Sequence, residues 1–147
     1  MTARPRSPRV AIVAGQFHRE IAAAMVEAAM GAIVESGADL VETWWVAGSY
    51  EAPLAVQRLL RAPDVDAVVV LGFIERGETL HGEVMGHVVH RALVELALQH
   101  EKPVGIGIIG PGATVEQAHV RKVEYAKAAV RAALGLHANL SRQHRNT

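Results

Sequence analysis

This 147-residue sequence contains no cysteine, few aromatic residues (4%) and no excess of either charge. Without cysteine it has no disulfides, thiolate metal ligands or cysteine nucleophile. Because 15 Lys and Arg residues balance 15 Asp and Glu residues, it lacks the basic surface of a general nucleic-acid-binding protein. It also lacks a membrane-length apolar run and the apolar core of a signal peptide. We therefore expect a cytoplasmic protein that binds neither nucleic acid nor membrane.

Half of the residues are hydrophobic and 20% are charged, which is ordinary for a folded globular protein. The length fits one domain with a sizeable core. We expect a flexible arm at 1–8, a single α/β domain at 9–140 and a polar tail at 141–147. A net charge of zero does little to keep chains apart, so self-association is expected.

Short apolar runs alternate with segments of helical periodicity. Strands are predicted at 10–14, 40–46, 66–71 and 103–109, and helices at 19–36, 53–61, 80–100 and 114–136. Gly37 is expected to end the first helix, and Thr114 with Gln117 has the spacing of a capping box for the last one. The alternation predicts an α/β fold, in which a four-stranded parallel sheet carries helices on both faces.

Parallel sheets of this kind bind ligands at the carboxyl ends of their strands. The segment that follows the third strand, 72–81, holds the densest set of functional side chains. Gly77 permits close backbone approach, and Thr79 with free helix amides suits a phosphate, with Arg76 nearby. His81 is placed for proton transfer near neutral pH. The alternative interpretation is a plain turn and helix cap, with His81 on the surface.

The segments after the first two strands, 15–18 and 47–51, offer further candidates. Phe17 is placed to stack on a flat heterocycle, or else to pack as a staple against its own helix. Ser49, Tyr50 and Glu51 have the hydroxyls and carboxylate to bind a polyol. Their alternative role is to start a helix, where Ser and Glu are common.

Other patterns are less specific. Arg121 and Lys127 on the last helix suit a phosphate, although cations on a helix face are more often simply solvated. His87 and His90 are three residues apart, but no third ligand falls into a metal-binding pattern, so we expect no metal. The glycines of 105–110 have dinucleotide-loop spacing, yet they lie inside a predicted strand rather than at a strand-to-helix turn.

Three motifs together resemble the lumazine synthase family in order and spacing. They are Phe17 after the first strand, Val46-Ala-Gly-Ser-Tyr-Glu-Ala-Pro53 after the second and Arg76-Gly-Glu-Thr-Leu-His81 after the third. The ending Gly110-Pro-Gly-Ala-Thr-Val-Glu-Gln-Ala118 is most similar to the archaeal-type branch. The similarity extends over about 9–136. It implies a flavodoxin-like three-layer sandwich that assembles into pentamers, in some members paired as decamers or closed into icosahedral shells of about sixty subunits.

The resemblance also implies roles for individual residues. Phe17 would stack on a pyrimidine, and Ser49, Tyr50 and Glu51 would hold a ribityl chain. Gly77, Glu78 and Thr79 would bind a butanone phosphate, and His81 would move protons. Arg121 would bind the phosphate from an adjacent subunit, with Lys127 at the same interface. Ile74, Glu75 and Ile106 complete the set of substrate-binding residues.

The chain departs from the family pattern at several positions. Ala47 replaces the proline of the family's Val-Pro-Gly, and His18 replaces a common asparagine. Glu75 stands where an aliphatic residue is usual, close to the expected position of the pyrimidine. Arg121 and Lys127 are also closer together than in bacterial members.

The implied reaction condenses 5-amino-6-(D-ribitylamino)uracil with 3,4-dihydroxy-2-butanone 4-phosphate to 6,7-dimethyl-8-ribityllumazine, the penultimate step of riboflavin biosynthesis. Amine attack, loss of water and phosphate, and ring closure need positioning, proton transfer and an anion site, but no cofactor. The main alternative is a noncatalytic flavin- or lumazine-binding shell protein of the same fold. A related aldol- or imine-forming enzyme that acts on another sugar phosphate is a further alternative. A flavodoxin-type electron carrier is disfavoured, because the first loop has a single glycine.

Overall fold

Four apolar strands form one sheet in the computed structural model, which describes residues 6–145 of the chain. They are β1 (Arg9–Gly15), β2 (Asp39–Val46), β3 (Ala67–Glu75) and β4 (Val104–Ala113). Neighbouring strands are parallel, and their order across the sheet is β2-β1-β3-β4. The central strands β1 and β3 are buried along nearly their whole length, as expected for strands covered on both faces.

Helices cover both faces of this sheet. The helices are α1 (Arg19–Glu35), α2 (Ala52–Arg61), α3 (His81–His100) and α4 (Val115–Arg145). Side chains alternate across β1, so that Ile12 faces a core shared with α1 and α4, whereas Val13 faces a core shared with α2 and α3. The predicted three-layer α/β sandwich with a four-stranded parallel sheet is therefore confirmed.

Two helix ends follow the predicted local chemistry. Gly37 ends the turn after α1 with a φ of 77°, a backbone conformation that glycine adopts without strain. At the start of α4, the Gln117 backbone N–H donates to Thr114 Oγ1 at 3.2 Å, and the Thr114 N–H donates to Gln117 Oε1 at 3.0 Å. The predicted capping box is therefore confirmed.

Two strands are longer than predicted. β3 continues past its predicted end at residue 71 as far as Glu75, and β4 continues past its predicted end at residue 109 as far as Ala113. The backbone N–H of Arg76 donates to the Ala113 carbonyl at 2.8 Å, so pairing resumes beyond a register shift. Gly110 makes this possible, because an added Cβ there would lie 2.1 Å from the Ile74 carbonyl oxygen.

The last helix is also longer than predicted. α4 was expected to end near Leu136, but it continues to Arg145. Gly135 does not adopt a helix-ending positive φ, and 137–145 contains no proline, so nothing in that segment interrupts the helix. Parts of the predicted arm (1–5) and tail (146–147) lie outside the described residues, and the division into arm, domain and tail stays a prediction.

The glycines of β4 are packing residues. Gly105 and Gly107 lie inside the strand, where α4 crosses it. An added Cβ on Gly105 would lie 2.2 Å from the Ala129 carbonyl oxygen, and one on Gly107 would lie 3.1 Å from the Ala129 Cβ. The dinucleotide-like spacing is thus explained by close contact between a strand and a helix.

An ion-pair network joins the amino ends of the central strands. The Arg6 guanidinium donates to both carboxylate oxygens of Asp66, at 2.7 and 3.0 Å, and the Arg9 backbone N–H donates at 2.8 Å. Burial alone would raise the pKa of Asp66, but these hydrogen bonds outweigh it and hold the pKa well below its ordinary value of 3.8. Within residues 6–145, no helix is long and apolar enough to cross a membrane.

Candidate active site

A cavity of about 500 Å³ opens at the carboxyl ends of β1, β2 and β3. This volume falls in the range that holds a small organic ligand. Most of the candidate residues from the sequence line it: Phe17, Ser49, Tyr50, Glu51, Ile74, Glu75, Gly77, Thr79 and His81. The wall is completed by Ala47, noted above as a departure from the family pattern, and by four residues that had not been singled out: Gly48, Phe73, Gly82 and Met85. The three loop segments singled out in the sequence thus meet at one site.

The turn after β1 places an aromatic ring at the cavity. Gln16 continues the sheet pairing through its backbone N–H, which donates to the Val46 carbonyl at 2.8 Å. His18 then adopts a left-handed conformation (φ 55°, ψ 62°) before α1 begins. This sharp turn leaves Phe17 54% exposed, so its ring is not packed away as a staple against α1.

After β2, a single 3₁₀ turn (Ser49–Glu51) leads directly into α2. The Glu51 backbone N–H donates to the Gly48 carbonyl at 3.2 Å, which holds the turn. Ala47 lines the cavity without the ring that a proline would place there. A hydroxyl from Ser49, a phenol from Tyr50 and a carboxylate from Glu51 are therefore presented on one short turn.

The segment after β3 supplies the remaining polar groups. Thr79 Oγ1 accepts a hydrogen bond from the His81 backbone N–H at 3.3 Å, beside the first turn of α3. The exposed His81 begins that helix, and its ring centroid lies 6.1 Å from that of Tyr50 in an edge-on arrangement. An added Cβ on Gly77 would meet only the Thr79 nitrogen, at 4.0 Å, so the backbone at Gly77 is open to a ligand.

Four sequence candidates lie away from this cavity. Glu78 is in the same exposed turn but does not line the cavity. Ile106 lies in β4, partly buried against the core beneath α3. Arg121 is exposed and Lys127 half-buried on α4, the helix that packs against the opposite face of the sheet from α2 and α3. One chain therefore does not bring the predicted phosphate-binding cations to the site.

The charged side chains on the cavity walls are acidic. Glu51 and Glu75 line it, and among the described residues no Lys or Arg does so. A second cavity of about 400 Å³ lies beside it, behind Gly77 and Thr79, and is lined by Arg76 together with Glu83 and other residues. Among the described residues, Arg76 is thus the one Lys or Arg side chain on the walls of these two adjoining cavities.

One contact at the site was not predicted from the sequence. His18 Nε2 and Glu75 Oε2 lie 3.1 Å apart and join the turn after β1 to the end of β3. Each residue had been noted separately as a departure from the family pattern. Their contact follows from the pairing of β1 with β3, a long-range arrangement that local sequence patterns do not reveal.

The histidines considered for metal binding make other contacts. His90 Nδ1 donates to the Gly86 carbonyl at 2.7 Å, and His87 Nε2 lies 4.0 Å from Glu83 Oε1. Across residues 6–145, no three His, Asp or Glu side chains are grouped as metal ligands would be.

The family profile of 6,7-dimethyl-8-ribityllumazine synthase matches residues 7–141 of this chain. The chain belongs to the lumazine synthase family. A protein of that name from Methanopyrus kandleri is 44% identical over 126 residues, which cover 86% of this chain and 89% of the relative. A relative of the same name from Metallosphaera sedula is 41% identical over 128 residues, which cover 87% of this chain and 85% of the relative. Another from Staphylothermus marinus is 42% identical over 124 residues, which cover 84% of this chain and 83% of the relative. The resemblance to archaeal members is thereby confirmed.

Proposed function

We propose that this protein catalyses the lumazine synthase reaction, the condensation of 5-amino-6-(D-ribitylamino)uracil with 3,4-dihydroxy-2-butanone 4-phosphate. The proposal rests mainly on the cavity at the carboxyl ends of three strands, where Phe17, Ser49–Glu51, Thr79 and His81 meet. Family membership supports the same reaction. The product is 6,7-dimethyl-8-ribityllumazine, and water and inorganic phosphate are released.

The pyrimidine stacks on Phe17 in this proposal. A phenyl ring that is 54% exposed beside a cavity leaves apolar surface in water, and a flat heterocycle would cover it. The ribityl chain then extends toward Ser49, Tyr50 and Glu51, whose hydroxyl and carboxylate groups suit a polyol. Apolar Phe73, Ile74 and Met85 complete the slot around the ring.

His81 transfers protons during the two condensation steps. The amine of the uracil attacks the ketone, and the carbonyl oxygen leaves as water after it is protonated. Loss of the proton on C3 together with the phosphate on C4 then gives an enol, and its tautomerisation forms a new ketone at C3. The ribityl-bearing nitrogen attacks this ketone to close the ring with loss of a second water. A neutral imidazole accepts and returns protons near neutral pH without a cofactor. The exposed position of His81 on the cavity wall allows this exchange.

A second copy of the chain supplies the phosphate-binding cation. The single-chain cavity has two carboxylates on its walls, which would repel a phosphate unless a cation is added. Arg121 is exposed on α4 and is available to a neighbouring chain, with Lys127 on the same helix. The Gly77–Thr79 turn offers backbone and hydroxyl donors beside it. Ile106 is proposed to contact substrate from the same neighbouring helix–strand unit.

Exposed apolar residues on α3 and α4 support self-association. Leu98 is 74% exposed and Val120 is 84% exposed, and Val84 and Val88 add to the apolar surface of α3. Surfaces of this kind are commonly buried between subunits. We propose a homo-oligomer built from pentameric rings, as the family resemblance implies.

The test is to mix the purified protein with both substrates and follow lumazine fluorescence against the uncatalysed background. Acceleration that is lost in His81→Ala, but kept in a variant of an exposed carboxylate outside the cavity, Glu20→Gln, supports the proposal. Folded protein that binds lumazine tightly without accelerating its formation would contradict it and would identify a binding protein instead.

A further inference from the structure

The contact between His18 and Glu75 lies at the junction of the two central strands. His18 follows β1 and Glu75 ends β3, and these strands are hydrogen-bonded neighbours. Nε2 of the histidine and Oε2 of the carboxylate are 3.1 Å apart, and the two side chains are 30% and 37% exposed. The pair is therefore partly accessible rather than in the core, and its carboxylate member, Glu75, lines the cavity.

The position of the His18 ring is fixed from several sides. Its backbone is in the left-handed region, with φ at 55°, and its ring lies 4.6 Å from that of Phe17 and 5.1 Å from that of Phe73. A left-handed backbone is unfavourable for a residue with a side chain, so surrounding contacts must hold His18 there. A ring held between two aromatic side chains has little freedom to turn away from Glu75.

This leaves one carboxylate oxygen for a ligand. Oε2 of Glu75 contacts His18, while Oε1 has no hydrogen-bond partner among the described residues. Glu75 lines the main cavity, where Phe17, Phe73 and Ile74 provide apolar surface. An ionised carboxylate only accepts hydrogen bonds. An acceptor at the edge of an apolar slot favours a ring that presents an N–H and disfavours one that presents a carbonyl or methyl group.

We propose that Glu75 is a specificity-determining residue whose carboxylate accepts a hydrogen bond from the pyrimidine N–H between the two ring carbonyls. His18 is a positioning residue that acts through Glu75. This inference rests on the proposed function, because the ligand is the heterocycle of that reaction. The N–H concerned is retained from the substrate to the lumazine product, so the product reports on the contact without turnover.

The experiment compares the binding of 6,7-dimethyl-8-ribityllumazine with that of its N3-methyl derivative, measured by fluorescence titration. Wild type should bind the N–H ligand at least about tenfold more tightly, because hydrogen bonds to a charged group are among the strong ones. Tenfold corresponds to about 1.4 kcal/mol. In Glu75→Ile this preference should fall to within about twofold. Glu75→Gln, which keeps an acceptor oxygen, should retain an intermediate preference.

His18→Asn tests the positioning role. It should reduce the preference for the N–H ligand, and His18→Asn combined with Glu75→Ile should be no worse than Glu75→Ile alone, because both changes act on one contact. The matched control is Glu20→Gln, which alters an exposed carboxylate in the first turn of α1 and should leave the preference unchanged.

The outcomes separate the two proposals. The inference is overturned if wild type makes lumazine but binds both ligands equally. It is also overturned if Glu75→Ile keeps the preference for the N–H ligand and only lowers the melting temperature, because the His18–Glu75 contact would then serve only to stabilise the fold. If folded wild type neither makes nor binds lumazine, the proposed function fails, and the inference fails with it.

Discussion

Substitution of Gly105 by alanine should destabilise the protein, because β4 and α4 touch there through their backbones. An ideal Cβ on Gly105 would lie 2.2 Å from the Ala129 carbonyl oxygen, whereas ordinary contacts begin near 3.4 Å. A backbone carbonyl inside a helix cannot rotate away as a flexible side chain can. The helix must therefore retreat by about 1 Å from the sheet, which forfeits a quarter to a half of the dispersion energy of the facing contacts.

The net cost can be estimated from two opposing effects. Overpacking a well-packed core typically costs about 1–3 kcal/mol. Because the Ala129 backbone carbonyl cannot move aside, the cost for Gly105→Ala should lie at or above the upper end of this range. Alanine also leaves the unfolded chain with less conformational freedom than glycine does, which stabilises the folded state by about 0.4–1 kcal/mol. We expect a net loss of about 2 kcal/mol in the free energy of unfolding, which lowers the melting temperature by roughly 4–8 °C for a domain of this size.

Thermal unfolding followed by circular dichroism is the assay, with Gly31→Ala as the matched control. Gly31 is exposed in α1, and an added Cβ there meets nothing within 4 Å. That variant should gain about 1 kcal/mol from helix propensity and melt at a higher temperature. Equal melting temperatures for Gly105→Ala and Gly31→Ala would refute the packing argument and reopen a ligand-binding role for the β4 glycines.

Three further predictions concern charge and catalysis. Because the folded-state pKa of Asp66 is lowered, its contribution to stability is present above pH 4 and is lost as the pH falls below about 3.8. Urea unfolding should therefore show a higher free energy of unfolding for wild type than for Asp66→Asn at pH 7, and this difference should shrink in acid. A difference that stays constant with pH would contradict the ion-pair explanation. His81→Ala should lower kcat by roughly a hundred- to ten-thousand-fold in the lumazine assay with assembly intact, and unchanged kcat would exclude proton transfer by His81. Arg121→Ala should raise the KM for the phospho-ketone by roughly ten- to a hundredfold and leave the KM for the uracil nearly unchanged. Arg58→Ala, which removes an exposed arginine on α2, is the control and should change neither KM. An equal change for both substrates in Arg121→Ala, or the same effect in Arg58→Ala, would refute the phosphate-binding role.

The fold was predictable because its local signals agree with one another. Apolar strands, helical periodicity, the stop at Gly37 and the capping box at Thr114 each indicate the observed element. The errors arose where tertiary contacts overrode local patterns. Gly110 reads as a turn residue, yet it belongs to β4 because Ala113 pairs again with Glu75.

The site was predictable in part for the same reason. Residues that follow strand ends converge in any parallel sheet, so Phe17, Ser49 and His81 were expected to meet, and they do. The His18–Glu75 contact depends on which strands are neighbours, and the sequence does not give the strand order. The role of Arg121 depends on a second chain and stays a proposal.

The central claim is that the reaction takes place in a cavity completed by a second copy, and subunit mixing tests it most directly. His81→Ala and Arg121→Ala, each impaired alone when the phospho-ketone is kept well below the raised KM of Arg121→Ala, are co-expressed with different tags. The mixed assemblies are assayed for lumazine formation at that low phospho-ketone concentration. If the residues act from different chains, about a quarter of the sites in a random mixture regain both, and activity returns accordingly. The matched control mixes His81→Ala with Phe17→Ala, whose residues line one chain's cavity, and should stay inactive. Mixed assemblies of His81→Ala and Arg121→Ala that also stay inactive would contradict the shared site.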